Sequence, residues 1–490
     1  MPSALALRRA LIGTLVAAIA TVVVAAAAAT ALAAPVGEKS QVRHVFVIVL
    51  ENESAAVTFG PTSPAPYLSK TLTAKGAFLP NYFGVGHASL DNYIAMISGQ
   101  APNPSTQADC GVFANFTAGG SLGSFGQQPG SGCVYPSNVM TLAQQFLGNG
   151  LTWRDYNEDM GADPTRESAT CGHPVVGQPD HTEGATPTDM YASRHDPFVY
   201  FHSIIDDAKL CGSHVVNLSL LPKDLAHVSS TANYTFITPN LCDDGHDASC
   251  ANGETGGLPR ADAFLKTWVP QITASQAFKE DGLLMVVFDE ATGGDSSSCC
   301  GELAGPAAPE PGGTGLGGGR TGAVLLSPCI APGTVTNTAY NHYTMLGSIE
   351  NIFGLSHLGY AGLPHSTYFG KDIYKRQCGP SPPTIQSGVA EGFVVKGSKS
   401  ESVQLTWRVS TAGGTPLAYS QLQERVGRAW HIVLNHAMRT TYAFTRRTRS
   451  AFVFRVRAVN TAGQASRWSR ISVPRPPTSS SNLTRAFKRG

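Results

Sequence analysis

Three short apolar runs, each ending on polar or acidic residues, constrain this chain more than any other feature of its sequence. "HVFVIVL" (His44 to Leu50) gives way to Glu51-Asn52. "ANYTFITPN" reaches Asn240 and then Asp243, Asp244, His246 and Asp247, and "GLLMVVF" ends in Asp289-Glu290. Runs that stay apolar without alternating are buried on both faces, as strands are in a parallel sheet covered by helices. "LTWRDY" and "TGAVLLSP" add two more strand-like runs, and "TLAQQFLGNG" and "TMLGSIENIFG" read as interleaved helices. The expected fold is therefore α/β, a mostly parallel sheet flanked by helices. Ligands bind such sheets beyond the carboxyl ends of the strands, so the terminal acids should gather along one edge.

A chain of 490 residues exceeds one ordinary domain. Residues 381–490 carry a net charge of +14 and residues 1–380 a net of −13, which separates two electrostatic units. The division falls at the Pro- and Ser-rich stretch 379–388. Beyond it, "SVQLTWRV", "YSQLQERV", "AWHIVL" and "FVFRVRAV" read as short strands without helices, a small all-β sandwich over 389–475 followed by a basic tail, 476–490. At the other end, Arg8-Arg9 precede a long apolar run closing on Ala31-Leu32-Ala33. Residues 1–33 thus read as an export signal, the catalytic unit spans 40–378, and the mature protein is expected to be secreted or extracytoplasmic. Ten cysteines in an exported chain imply disulfides, with Cys242 and Cys250 the best-placed local pair. The Gly- and Ser-rich loops 117–132 and 293–319 either border a site or are plain surface insertions.

The polar residues suggest anion-transfer chemistry. Glu51 and Asn52, with Asp289 and Glu290, bring carboxylates together that would raise one another's pKa unless a cation stood between them. An oxygen-rich donor set suits a hard divalent metal, its identity open. In "GVGHASLDNYIAMISG", Ser89 opens a helical pattern that Gly99 closes, so Ser89 is either an N-cap or a nucleophile at the positive end of a helix. His87, His195 in "SRHDPFVYF" and His342 in "AYNHYTML" could bind phosphate oxygens, ligate metal or protonate a leaving group. Tyr156 and Glu158 are weaker candidates.

Taken in order, "VIVLENES", "HASLDNYIAMISG", "RHDPFVYF", "TPNLCDDGHD", "VVFDE" and "YNHYTMLGSIENIFGL" resemble the bacterial and fungal phosphoesterase family that joins secreted acid phosphatases to phospholipases C, within the alkaline phosphatase-like superfamily. The resemblance covers roughly residues 44 to 375. It implies an alkaline phosphatase-like sheet in which Ser89 takes up the phosphoryl group. Glu51, Asn52, Asp289 and Glu290 would hold the metal, and Asn92 would touch the phosphate. His195, Asp244, His246 and His342 would line the pocket or build a second metal position. His246 or His342 would protonate the leaving alcohol, and His87 joins the substrate-binding set. Asp91 stands where the family commonly has proline, and Glu290 where the wider superfamily often has histidine. Trp407 and "FVFRVRAVNTAGQASRWS" make the C-terminal module similar to a fibronectin type III domain.

The expected activity is that of a secreted, metal-dependent acid phosphatase-type phosphomonoesterase acting on a phosphorylated small molecule or phospholipid. A phospholipase C-type phosphodiesterase is the nearest alternative, the basic module meeting an anionic surface or lipid. A non-catalytic surface-binding protein is the alternative of another class. No nucleic-acid partner is expected. Sulfatase action is disfavoured, because the signature for formylglycine formation is missing.

Overall fold

All seven residues of β1 (His44–Leu50) are buried, and their alternation sorts them onto two cores. Val45, Val47 and Val49 pack with Leu90, Tyr93 and Ile97 of helix α1 (Ser89–Ser98). Phe46, Ile48 and Leu50 face the opposite way, onto the layer that holds Phe264 and Leu265. A strand sandwiched between two helical layers has no wet face, which is why its sequence shows no alternation. The computed structural model describes residues 42–307, 317–364, 366–374, 384–394, 401–410, 417–437, 439–446, 451–460 and 465–473. The export segment 1–33, the start of the expected linker, Cys378 and the basic tail lie outside them.

The remaining strands of the central sheet are β2 (Ala77–Leu79), β3 (Trp153–Asn157), β4 (Val215–Asn217), β5 (Tyr234–Thr238), β6 (Gly282–Phe288), β7 (Ala323–Leu326) and β8 (Thr334–Val335). Their order is β8-β2-β7-β6-β1-β5-β3-β4. Pairing is parallel from β6 to β4. β7 runs antiparallel to both its neighbours. No helix intervenes between β6 and β7 among the described residues. Without a crossover the chain re-enters from the edge at which it left, and the strand must reverse.

Helix α2 (Leu142–Gly148) and helix α5 (His342–Phe353) stand where the sequence places them. Among the helices that were not legible are α3 (Leu258–Ala274), which carries Pro259 in its first turn and Pro270 in its interior, and the short α4 (Gln276–Asp281). Proline at the first turn is tolerated and inside a helix removes a hydrogen bond, so the pattern there argued against a helix.

The C-terminal module is a sandwich of two antiparallel sheets. One is β9-β10-β13 (Thr384–Val394, Glu401–Ser410, Thr441–Arg446). The other is β12-β11-β14-β15, formed by β12 (Ala429–Ala437), β11 (Leu417–Val426), β14 (Phe452–Asn460) and β15 (Ser469–Val473). Its core gathers on Trp407, Leu405, Leu422 and Val456. β9 begins at Thr384, so the module starts inside the stretch expected to be linker.

Disulfides join Cys110 to Cys133, Cys171 to Cys211, Cys242 to Cys250 and Cys299 to Cys300. The expected Cys242–Cys250 bridge closes the loop that carries Asp243, Asp244, His246 and Asp247. Loop 117–132 packs on the far end of α1, where Gln127 Nε2 donates to the Gly99 carbonyl at 2.7 Å. The described part of loop 293–319 instead packs on the segment ahead of Ser89, where His87 Nε2 lies 2.9 Å from the Asp295 carbonyl.

Candidate active site

β1 and β6 are neighbours in register, Leu50 facing Phe288, so the next residues, Glu51 and Asp289, leave the sheet side by side. The pairing extends past both strands, with the Asp289 amide bonded to the Leu50 carbonyl at 2.9 Å and the Glu51 amide to the Asp244 carbonyl at 2.9 Å. Glu51, Asp244 and Asp289 are thereby fixed to one edge by backbone hydrogen bonds rather than by loops.

Ser89 reaches this edge from α1. It does not cap the helix: Ala88 holds the capping position, and the Ser89 hydroxyl donates to Glu51 Oε2 at 2.8 Å. Gly99 ends the helix in the left-handed conformation, as expected. The Asp289 carboxyl stands within the influence of both Glu51 and the Ser89 hydroxyl. Asn52 adopts a left-handed conformation, which asparagine tolerates, and ties the acids together. Its amide donates to Asp289 Oδ1 at 2.9 Å and its side chain to Glu290 Oε1 at 3.1 Å.

His195 is buried between two of these carboxyls. Its Nε2 lies 3.3 Å from Glu51 Oε1 and its Nδ1 3.8 Å from Asp244 Oδ2, while Tyr93 stacks on the ring at 5.1 Å. Asp244 Oδ1 accepts the His246 amide at 3.0 Å, and the His246 imidazole stands half-exposed with Nδ1 2.9 Å from Asp247. Ser89, Glu51, His195 and Asp244 therefore form one continuous series, with His246 at its open end.

Three expected substrate or proton-transfer residues are placed differently. Asn92 is fully buried and braces the loop ahead of Ser89: its Oδ1 accepts from Val85 and Gly86, and its Nδ2 donates to the Gly86 and Ala88 carbonyls. No polar capacity remains for a phosphate. His342 is also fully buried, with Nε2 at 2.6 Å from the Asp289 carbonyl and Nδ1 at 2.9 Å from the Tyr82 hydroxyl. Burial pushes its pKa down to about 4, and with both nitrogens engaged by Asp289 and Tyr82 the ring serves as a brace of the Asp289 turn. Both nitrogens of His87 face protein acceptors, Glu290 Oε2 at 3.3 Å and the Asp295 carbonyl at 2.9 Å. Tyr156 donates to Asp224 in the other core, and Glu158 accepts the Asn240 amide at 3.1 Å beside Asp243.

The same neighbourhood holds residues to which the sequence assigned no role. Arg194 precedes His195 and is mostly buried, with Nη1 donating to the Glu183 carbonyl at 2.7 Å. Its guanidinium acts electrostatically on Glu51, Asp109, Glu183 and Asp244. Asp109 accepts the Leu90 amide at 2.9 Å, at the N-terminus of α1. Asp91 is buried next to Gly86, both oxygens without a partner. A signal for Arg194 existed, a cation beside the flagged histidine. Gly84 allows the loop to pass the Asp289 turn, since a Cβ there would lie 2.6 Å from the Asp289 carbonyl oxygen.

Burial dominates the electrostatics. It raises the pKa of Glu51 well above the usual carboxylate range, with Asp289 and Asp244 adding to the effect. It lifts Asp289 to about 6, against hydrogen bonds from Asn52 and Glu290, and Glu290 to about 10, helped by Asp289. Burial, then Arg194 and His246, lower the His195 pKa well below the usual value. Among the described residues no three His, Cys, Asp or Glu side chains already stand together as a metal cluster. Yet Glu51 Oε1, Asn52 Oδ1 and Asp289 Oδ2 are buried without hydrogen-bond partners. Buried acceptors in surplus, next to a hydroxyl and short of donors, fit a hard cation.

Comparison with known proteins finds a matching family and several similar chains. The sequence profile of the Phosphoesterase family matches residues 64–356. The chain is 28% identical to a phosphate-repressible acid phosphatase of Penicillium chrysogenum, over 61% of this chain and 57% of that one. It is 26% identical to a phosphatidylinositol-3-phosphatase of Mycobacterium tuberculosis, over 65% and 79% respectively. The chain thus spans little more than half the length of the fungal acid phosphatases it matches. A solved protein of the alkaline phosphatase superfamily from Vibrio parahaemolyticus aligns at 11% identity over 76% of this chain and 79% of its own, with a TM-score of 0.38. With its profile match covering more than half of the sequence, the chain belongs to the Phosphoesterase family.

Proposed function

We propose that this protein hydrolyses phosphoric monoesters with Ser89 as the nucleophile. The observation that carries the reading is the Ser89 hydroxyl, at the N-terminus of a buried helix and hydrogen-bonded to Glu51 at 2.8 Å. Glu51 accepts the hydroxyl proton as Oγ attacks phosphorus, and the helix N-terminus favours the anion that develops there. The bond from phosphorus to the ester oxygen breaks, and His246, the one exposed imidazole of the series, gives the leaving oxygen its proton. Water then displaces Ser89 from the phosphoserine, restoring both protons. His195 keeps Glu51 and Asp244 apart as a neutral spacer, and Arg194 faces the negative charge of the bound phosphoryl group.

Glu51, Asn52, Asp289 and the Ser89 oxygen would hold a divalent cation, with Glu290 fixed behind Asn52. Such an ion supplies charge neutralisation between the acids and polarisation of a phosphoryl oxygen. Disulfides among the described residues support an exported protein. No helix of the described residues is long and apolar enough to cross a membrane. The relatives named as acid phosphatases and as a phosphatidylinositol-3-phosphatase support a monoester, free or lipid-borne, as substrate.

The test compares p-nitrophenyl phosphate with its bis-ester on chelated and metal-restored protein, for the natural chain and Ser89→Ala. Hydrolysis of the monoester, dependent on restored metal and reduced at least about a thousandfold in the variant, is expected. A variant that stays folded and active removes Ser89 from the mechanism.

A further inference from the structure

The outer face of the β12-β11-β14-β15 sheet carries an ordered stack that phosphoester chemistry does not use. Along β14, Phe454 and Val456 are buried in the sandwich core, so Arg455 and Arg457 stand on the opposite face. The Arg455 guanidinium lies between two indoles, 4.4 Å from the ring centres of both Trp430 and Trp468. Arg457 lies 4.8 Å from Trp468. Their Nε groups donate to Gln423 at 2.7 Å and Gln421 at 2.6 Å on the neighbouring strand. Each guanidinium is held by its face and its Nε, and these contacts leave the terminal N–H fork unconsumed.

Two further observations point to an anionic partner. In the β14–β15 register Arg455 sits directly opposite Arg470, a like-charge pair that by itself weakens a sheet. Residues 417–473 contain ten arginines, no lysine and a single acid, Glu424. Arginine differs from lysine in presenting a planar fork that matches phosphate oxygens two at a time.

We propose that this face binds a phosphate-bearing anionic polymer, with Arg455, Arg457 and Arg470 contacting successive phosphates and Trp430 and Trp468 holding the guanidinium groups in place. Arg455 and Arg457 are two strand positions apart, about 6.6 Å, so the sheet offers charges at fixed intervals to a linear partner. Stacking on the indoles has already ordered the arginine side chains, which lowers the entropy lost on binding. A polymer fits better than a bilayer, because a guanidinium is stacked on each indole and a charged group would have to enter lipid with the ring. The face would hold the enzyme on a phosphate-rich matrix, whatever ester its active site prefers.

The experiment measures adsorption of the full-length protein to immobilised long-chain inorganic polyphosphate at 0.15 M salt, beside vesicles of phosphatidylglycerol and phosphatidylcholine. Two double variants remove equal charge: Arg455→Gln with Arg470→Gln on the face, and Arg428→Gln with Arg439→Gln in exposed connections. Trp468→Leu removes the stack while keeping every charge, and circular dichroism checks folding of each. The face pair should weaken polyphosphate binding about tenfold or more and the loop pair no more than about threefold, with Trp468→Leu close to the face pair. The catalytic domain is unchanged throughout, so the difference reads the sheet. Equal losses in the two double variants, tighter binding to the vesicles than to polyphosphate, or no adsorption by the natural chain would each overturn the proposal. Should the face pair not fold, Trp468→Leu decides alone, and unchanged binding there overturns it.

Discussion

Asn92 offers a quantitative test of the site, because sequence and structure assign it different work. The sequence resemblance implies a contact with phosphate, whereas the structure shows four hydrogen bonds from one buried amide to the loop Val85–Ala88. Asn92→Ala removes all four bonds. At about 0.5–1.5 kcal/mol net for each, the sum is about 2–6 kcal/mol. Part of this returns if water enters the vacated space and serves the two amides and two carbonyls, so a loss of about 3 kcal/mol is expected. For a domain of this size that lowers the melting temperature by about 5 °C or more. Chemical denaturation and calorimetry measure the loss directly. Turnover should fall too, because the loop carries Ser89, and Asn92→Asp should not rescue it, since two donors become acceptors facing carbonyls. An Asn92→Ala protein as stable as the natural chain, with weakened phosphate binding alone, would refute the bracing role and restore the substrate contact.

Two other outcomes follow from the same geometry. Arg194→Gln should reduce kcat/KM for a monoester about ten- to a hundredfold, with partial recovery on adding guanidinium, because it removes a positive group facing Glu51 and Asp244; unchanged kinetics would assign Arg194 to the fold alone. His357, whose pKa burial lowers to about 4, binds its proton less readily in the folded chain than in the unfolded one. The stability its neutral ring contributes is present above the unfolded value near 6.5 and is lost as pH falls toward 4, on the order of 3 kcal/mol. His357→Gln removes this dependence, so the variant should gain on the natural chain between pH 7 and pH 4.5 in denaturant titrations, and a gap that stays constant contradicts the assignment.

The parts of this molecule readable in advance were those in which local chemistry and burial agree. β1 and β6 are almost wholly apolar runs and β5 is a short buried run broken by Thr235, and the acids that follow them emerge at the edge where parallel strands end. β2, β4 and β8 are two or three residues long and carry too little pattern to be seen. In α3 the prolines opposed the helix and tertiary packing prevailed. Within the site, residue type and order located Glu51, Ser89, His195, Asp244 and Asp289 in one place. They did not reveal what each side chain touches, because the partners of Asn92, His87 and His342 come from loops and carbonyls distant in sequence. Ser89 looked like a helix cap because its spacing suits one. The cap position lies one residue earlier, and that shift frees its hydroxyl for Glu51.

The register of β1 on β6 has a further consequence. With Leu50 opposite Phe288, the gap between the acids that follow is set by the inter-strand repeat of about 4.8 Å, a length common to all sheets. The backbone lattice thus serves as a ruler for the reacting centre. Surrounding loops can lengthen or acquire cross-links while the Cα separation of Glu51 and Asp289 stays fixed by the sheet.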